Sequence, residues 1–219
     1  MATLRRRRRP LVLGSLGTTR PLSNAWGQDR GTPVDRWFIE RFLVQHRADI
    51  TGRVLEVKSS GYTDSLGRAV TEAAVLDVDP ENERATHVAD LATGEGLPEA
   101  AFDCFVLTQT LQLIYDFRGA LATAHRVLRP GGVLLLTVPT TSRLVGGGQT
   151  DMWRFTGLAV ERLLDERFGP GAASVHAHGN VLANVAFLAG LAAEDLSNAE
   201  LAETDPIFPL IVCARAVRA

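Results

Sequence analysis

Several short apolar runs in this chain are each followed at once by residues able to hold a polar ligand. Asp79 closes the run Ala74-Val75-Leu76-Asp77-Val78, Asp90-Leu91 follows Thr86-His87-Val88-Ala89, Thr108-Gln109 follows Asp103 to Leu107, and Lys58 to Tyr62 follows Arg53 to Val57. A carboxylate such as Asp79 can take both hydroxyls of a ribose through charge-assisted hydrogen bonds. Asp77 points the same way two residues earlier; it is the alternative, and Asp79 is preferred because it reads as the last residue of its strand. Asp90 can accept from an adenine amino group while Leu91 packs on the ring, although an Asp there also commonly caps a loop. Gln109 would line the floor of such a pocket. In an open parallel sheet, ligands bind outside the carboxyl ends of the strands, which is where these residues fall.

The elements that must position them are legible in outline. Thr32-Pro33-Val34-Asp35 starts a helix: Thr caps, Pro suits the first turn and Asp35 favours the positive end of the dipole. Phe38, Ile39, Phe42 and Leu43 give it a helical apolar spacing as far as about His46. Strands are predicted at 53–57, 74–79 (stopped by Pro80), 86–90, 103–107, 133–138, 174–178 and 210–216. The continuously apolar fifth suits a strand covered on both faces. Helices are predicted at about 117–128, closed by Arg129-Pro130-Gly131-Gly132, at 156–168 behind a Thr156 cap, and at 182–196. Gly146-Gly147-Gly148 reads as a mobile loop. Strands alternating with helices predict an α/β chain with a mainly parallel sheet and helices on both faces.

Composition sets bounds. At 219 residues the chain is one domain with a short appendage: residues 1–22, with the run Arg5 to Arg9, read as a disordered basic arm, and 23–219 as the domain. The net charge of −2 gives the body no basic bias toward nucleic acid. The apolar stretch after the arginines is too short for an export signal, and no window reaches a membrane span, so a cytoplasmic protein is expected. Cys104 and Cys213 lie in strand-like runs and read as buried thiols. No residue cluster has metal spacing, and neither a hydrolase elbow nor a phosphate-binding glycine loop occurs.

The series Val54-Leu55-Glu56-Val57, Asp79-Pro80, Ala89-Asp90-Leu91, Phe102-Asp103-Cys104-Phe105-Val106 and Leu128-Arg129-Pro130-Gly131-Gly132-Val133-Leu134-Leu135 resembles the class I S-adenosylmethionine-dependent methyltransferases. Trp26 to Arg36, Leu107 to Ile114, Trp153-Arg154-Phe155-Thr156 and Gly179-Asn180-Val181 are similar to a bacterial branch often found beside or fused to glycosyltransferases. The resemblance implies a Rossmann-like, seven-stranded sheet whose last strand is antiparallel, with S-adenosyl-L-methionine as cofactor. It implies that Glu56 and Gly61 lie in the cofactor loop, Asp79 at the ribose, Asp90 and Leu91 at the adenine and Gln109 at the methionine side. The chain departs from the family where alternate glycines follow the acidic residue: here those positions are Lys58, Ser60 and Tyr62. Lys58, Arg30 or Arg36 would supply the cation for the methionine carboxylate, with Arg36 also a substrate candidate.

Methyl transfer to a hydroxyl requires alignment and a proton acceptor. The family's usual His after the fourth strand is Leu113 here, so the base must come from elsewhere. Asp151, His176, His178 and Tyr115 are the weak candidates, and His125 reads as an exposed or capping residue. Trp153 and Arg154 would cover the substrate and pair with an anionic group, with ordinary packing as the alternative for Trp153. The reading is methylation of a hydroxyl or amine on a sugar or secondary metabolite, by a chain acting alone, as a homodimer or with a biosynthetic enzyme. The alternative is a non-catalytic or non-methylating relative that partners such an enzyme.

Overall fold

The computed structural model describes Gly14, Gly17, residues 19–145 and residues 150–219. Most of the predicted basic arm, and the triple-glycine loop at 146–148, lie outside the described residues. In chain order the elements are α1 (Val34–Gln45), β1 (Gly52–Val57), α2 (Gly61–Leu66), β2 (Val70–Asp77), β3 (His87–Val88), β4 (Phe102–Thr108), α3 (Phe117–Val127), β5 (Leu128–Pro139), α4 (Gly157–Phe168), β6 (Ala173–His178), α5 (Val181–Ala189), α6 (Asn198–Ala202) and β7 (Ile211–Val217). The seven strands form one sheet in the order β3-β2-β1-β4-β5-β7-β6. The pairs from β3 through β5 are parallel, and β7 runs antiparallel to both β5 and β6.

Alternation along β4 shows how the sheet is sandwiched. Phe105 and Leu107 join the core under α3 and α4, while Cys104 and Val106 join the core under α1 and α5. Successive side chains of a strand face opposite ways, so a stretch covered on both sides is apolar, as Cys104 to Leu107 of β4 and Val133 to Leu136 of β5 are. Both cysteines are free and buried on the α1 side. Each long helix after α1 has a side-chain cap: Asp116 accepts from the Gly119 amide, Thr156 from Ala159 and Asn180 from Ala183.

Several predicted boundaries move. The second strand ends at Asp77, three residues before Pro80, because the Asp77 carboxylate accepts the Asp79 amide (3.1 Å) and turns the chain there. Asp79 is therefore outside the strand, and the preference that rested on its ending the strand passes to Asp77. The third strand shrinks to two residues. The fifth begins at Leu128, and the Arg129-Pro130-Gly131-Gly132 stretch is a register shift between Phe102↔Leu128 and Cys104↔Val133 rather than a separate loop. The predicted 182–196 helix breaks at Gly190, which takes the left-handed conformation (φ 77°). Its remainder becomes a short turn at 193–195, followed by α6, which periodicity did not predict.

The leading motif is a clasp onto that broken segment. The Arg30 guanidinium donates to both Asp195 oxygens (3.1 and 2.9 Å), and Thr32 donates its amide and hydroxyl to Glu194 (2.8 and 2.7 Å). Arg30 is thus spoken for structurally, and the entry to α1 is fixed in place.

Candidate active site

The carboxyl ends of β1, β2 and β4 carry the predicted residues. Glu56, in β1, is 3% exposed. Its carboxylate accepts the Tyr62 amide (3.1 Å), the Thr63 amide (2.8 Å) and the Thr63 hydroxyl (2.7 Å), so it fastens the first turn of α2 beneath the loop. Burial pushes its carboxyl above the ordinary range, against those hydrogen bonds. Lys58 stands at the family's first glycine position and has a φ of 72°. A non-glycine residue rarely holds that conformation. The loop therefore keeps a backbone shape suited to glycine while carrying an ammonium group. Gly61 opens α2 and is exposed, with only the Ser59 hydroxyl near the position of an added Cβ.

At the end of β2, Asp77 is 7% exposed. Asn82 donates one amide to its Oδ2 (2.7 Å) and to the Lys58 carbonyl (2.9 Å), tying the β1 and β2 loops together. Burial pushes the Asp77 carboxyl up, but the Asp79 amide, Asn82, the Val78 amide and the Lys58 charge outweigh it and hold it below the ordinary range. Asp79 is exposed, and its Oδ1 accepts the Glu81 amide (3.0 Å). Lys58, Ser59, Asp77, Asp79, Glu81, Asn82 and Arg84 line an open cleft of about 410 Å³. That volume lies in the range of small-molecule sites. Periodicity had no means of finding Asn82, whose role depends on two loops meeting.

Asp77 pairs with Val88 across β2 and β3, so Asp79 and Asp90 each lie two residues past paired positions on adjacent strands. Asp90 is exposed, with Oδ1 accepting the Ala92 amide (2.8 Å), the loop-capping alternative noted for it. Leu91 corrects its assignment: it is 5% exposed and packed in the α3/α4 core with Leu97 and Leu121, so its side chain is turned away from any ring on the rim. The exposed apolar side chains at this edge are Val78 (69%) and Val88 (53%).

Gln109, just past β4, has a φ of 47° and donates its amide to the Thr137 carbonyl (2.9 Å). It borders a narrow crevice with Asp35, Pro139, Thr141, Ser142, Phe187, Leu210 and Ile211, about 160 Å³ in all and too tight for a water molecule as it stands. Gln112, 4% exposed, donates to the Gln109 carbonyl (2.9 Å), and its Oε1 is buried without a partner among the described residues. The sequence pattern gives Asp35 only a place at the start of α1; its place in this crevice follows from where α1 crosses the strand ends.

The other candidates are largely occupied. The Asp151 side chain is 1% exposed, paired with Arg154 and accepting the Val145 amide (2.9 Å). Burial alone would raise its carboxyl, but Arg154 and the Val145 amide hold it low. Arg154 also donates to the carbonyls of Ser142, Arg143 and Trp153 (3.3, 3.2 and 2.7 Å), so its guanidinium staples the 142–154 segment instead of facing a ligand. Trp153 donates to the Ile114 carbonyl (3.1 Å) and packs edge-on against Phe117 (5.2 Å), the ordinary-packing alternative. Tyr115 is 76% exposed beside it. His176 and His178 share a face, their rings 6.3 Å apart, and His178 stacks on Phe38 under α1 (6.3 Å); neither lines the cleft or the crevice. Burial pushes the imidazoles of His178 and His125 down. Arg36 is exposed, 6.0 Å from the Tyr62 ring at the start of α2.

Among the described residues no group of three or more His, Cys, Asp or Glu side chains is placed to hold a metal ion, and no helix is long and apolar enough to cross a membrane.

Residues 55–136 match the family model for a methyltransferase domain, a span that runs from β1 to β5 and includes both lips of the cleft. A search of curated protein sequences gives no significant match. Among solved structures, a SAM-dependent methyltransferase from Archaeoglobus fulgidus is similar at a TM-score of 0.58 with 12% identity, covering 88% of this chain and 97% of that one. The Burkholderia thailandensis 1,6-didemethyltoxoflavin-N1-methyltransferase, solved with 1,6-didemethyltoxoflavin and S-adenosylhomocysteine, is similar at 0.54 with 16% identity, covering 89% and 84%. The [4+2]-cyclase SpnF is similar at 0.54 with 17% identity, covering 86% and 83%. At these identities the structural likeness concerns the fold, and the domain match and the sheet order together identify a chain with the class I S-adenosylmethionine-dependent methyltransferase fold.

Proposed function

We propose that this class I methyltransferase chain binds S-adenosylmethionine across the ends of β2, β1 and β4 and methylates a hydroxyl or amine of a small molecule in a biosynthetic route. The single observation that carries the reading is the cleft in which Asp77 and Asp79 face the Lys58 loop. Asp77 is the better ribose ligand: it ends its strand, and the Asp79 amide and Asn82 hold its carboxylate in one orientation before any ligand arrives. Asp79 is the outer alternative. Lys58 supplies the cation for the methionine carboxylate, Val78 and Val88 offer apolar edges to the adenine, and Gln109 floors the methionine end. The bound cofactor would supply an electrophilic methyl group on a sulfonium; the chain's share is to bind, align and keep water out.

The small-molecule acceptor draws support from the structurally similar Burkholderia enzyme, an N1-methyltransferase solved with 1,6-didemethyltoxoflavin bound. The second reading, a non-methylating protein that uses this fold, is favoured by Leu113 at the usual His position and by likeness to a cyclase. Titration calorimetry with S-adenosylmethionine tests the first layer. Wild type should bind at one site, and Asp77→Asn should weaken binding by about 5- to 150-fold, the equivalent of about 1–3 kcal/mol for a lost charged hydrogen bond. No heat and no thermal shift at millimolar cofactor would overturn the methyltransferase reading. Loss on Asp79→Ala with Asp77→Asn unchanged would transfer the ribose to Asp79. A one-methyl mass gain on an acceptor then separates methylation from the second reading.

A further inference from the structure

The rim leaves one carboxylate whose position the cofactor cleft does not explain. Asp35 lies in the first turn of α1 and lines the crevice between the ends of β4, β5 and β7. Its Oδ1 accepts the neighbouring Arg36 amide (2.8 Å), and no side-chain cation lies within ion-pair distance of it among the described residues. Among the described residues, the charged or titratable groups that act on it are Arg36 on its own helix and Tyr62 from α2. The other walls, Gln109, Pro139, Thr141, Ser142, Phe187, Leu210 and Ile211, carry no charge.

Position along the rim supplies the second half of the argument. The sheet order puts β2 and β1 next to β4, and then β5 and β7. Neighbouring strands are about 4.8 Å apart. A nucleoside held at β2 and a methionine tail lying over the β1 loop bring the reactive end to the β4 end, beside Gln109. Gln109 is also one wall of the crevice that Asp35 lines. Given the cofactor reading above, on which this rests, we propose that Asp35 is the general base that takes the proton from the acceptor during methyl transfer. The acceptor's lone pair forms the new bond to the methyl carbon while the carbon–sulfur bond breaks and its electrons pass to sulfur; the acceptor's O–H or N–H proton passes to an Asp35 oxygen and from there to solvent. The crevice is too tight for water as it stands, so the acceptor group enters as its uncharged walls, Thr141 and Ser142 among them, move apart. Enclosure pushes the Asp35 carboxyl up to about 6, within the range a base needs to be free at neutral pH and still hold a proton.

The test needs no acceptor. Sinefungin is the cofactor analogue in which a carbon bearing an ammonium group replaces the methylsulfonium, and S-adenosylhomocysteine lacks that group. Calorimetry with both ligands on wild type and Asp35→Asn compares their affinities. The proposal predicts a loss of 10-fold or more for sinefungin, and less than 2-fold for S-adenosylhomocysteine, in the variant. Equal effects on both ligands, or none on either, would overturn it while leaving the cofactor reading intact. Wild type that binds neither ligand would overturn the cofactor reading and this inference with it. A wild-type measurement covers the case of an unfolded variant: the preference for sinefungin over S-adenosylhomocysteine should fall as pH drops through about 6, and a preference constant from pH 5 to 8 refutes the assignment.

Discussion

Asp35 should cost the fold stability at neutral pH, and replacing it should return that stability. In the unfolded chain its carboxyl ionises near 3.8, whereas in the fold it holds its proton up to about 6. Each pH unit between those values corresponds to about 1.4 kcal/mol, so the ionised form is disfavoured by up to about 3 kcal/mol. The residue is only half-buried, and solvent trims the effect to about 1–3 kcal/mol. The sign follows from proton counts. Between pH 4 and 6 the folded chain holds a proton that the unfolded chain has released, so wild-type stability falls as pH rises through that window and stays reduced above it. Asn keeps the shape and still accepts the Arg36 amide but never ionises. Asp35→Asn should therefore match wild type near pH 4 and exceed it by about 1–3 kcal/mol at pH 8, roughly 2–12 °C in Tm for a chain of this size. Urea melts across pH 4–8 provide the comparison. A gap that does not change with pH, or a variant less stable than wild type at pH 8, would show that the carboxylate is not disfavoured where it sits. A charge kept at such a cost is the usual mark of a group held for use.

Substitutions at three further positions test how the rim is built. Leu91→Ala should cost about 2–5 kcal/mol in a urea melt, as for a buried core leucine, with cofactor affinity within 3-fold of wild type; a 10-fold affinity loss at unchanged stability would put Leu91 back against the adenine. Arg154→Ala should cost about 3–5 kcal/mol by the same measurement, because it strands the buried Asp151 carboxylate, and a cost under about 1 kcal/mol would show that the pair does not staple the segment. Lys58→Gly should leave stability within about 1 kcal/mol of wild type, since relief of the left-handed backbone offsets the added freedom of the unfolded chain. Lys58→Val should be worse than Lys58→Gly by more than about 1 kcal/mol; equal stabilities would mean the loop tolerates any side chain at that φ.

The elements were legible where the signal is local and repetitive. Alternation and continuous apolarity identify β4 and β5, and a cap such as Thr156 marks a real helix start. Boundaries set by a side chain folding back on its own backbone were not legible. Pro80 looks like the stop of β2, but the Asp77 carboxylate turns the chain earlier, and that shift moves the strand-end acid from Asp79 to Asp77. Site residues fared according to how they are built. Lys58, Gly61, Asp79 and Gln109 lie just past strand ends, where order along the chain foretells place in space. Asp35 and Asn82 owe their surroundings to elements far away in sequence, and Asp151 and Arg154, adjacent enough to look like a free acid and a free cation, satisfy one another. The left-handed backbone at Lys58 is a case of its own: the glycine signal is missing from the sequence while the conformation it serves is present.

The most direct measurement is a crystal structure with S-adenosylhomocysteine bound. The account predicts adenosine across the ends of β2 and β3 with its ribose hydroxyls on Asp77, the amino-acid tail over Lys58 to Gly61, and the sulfur turned toward Gln109 and Asp35. Ligand density elsewhere on the molecule, or a rim that stays closed by protein at saturating ligand, would contradict it.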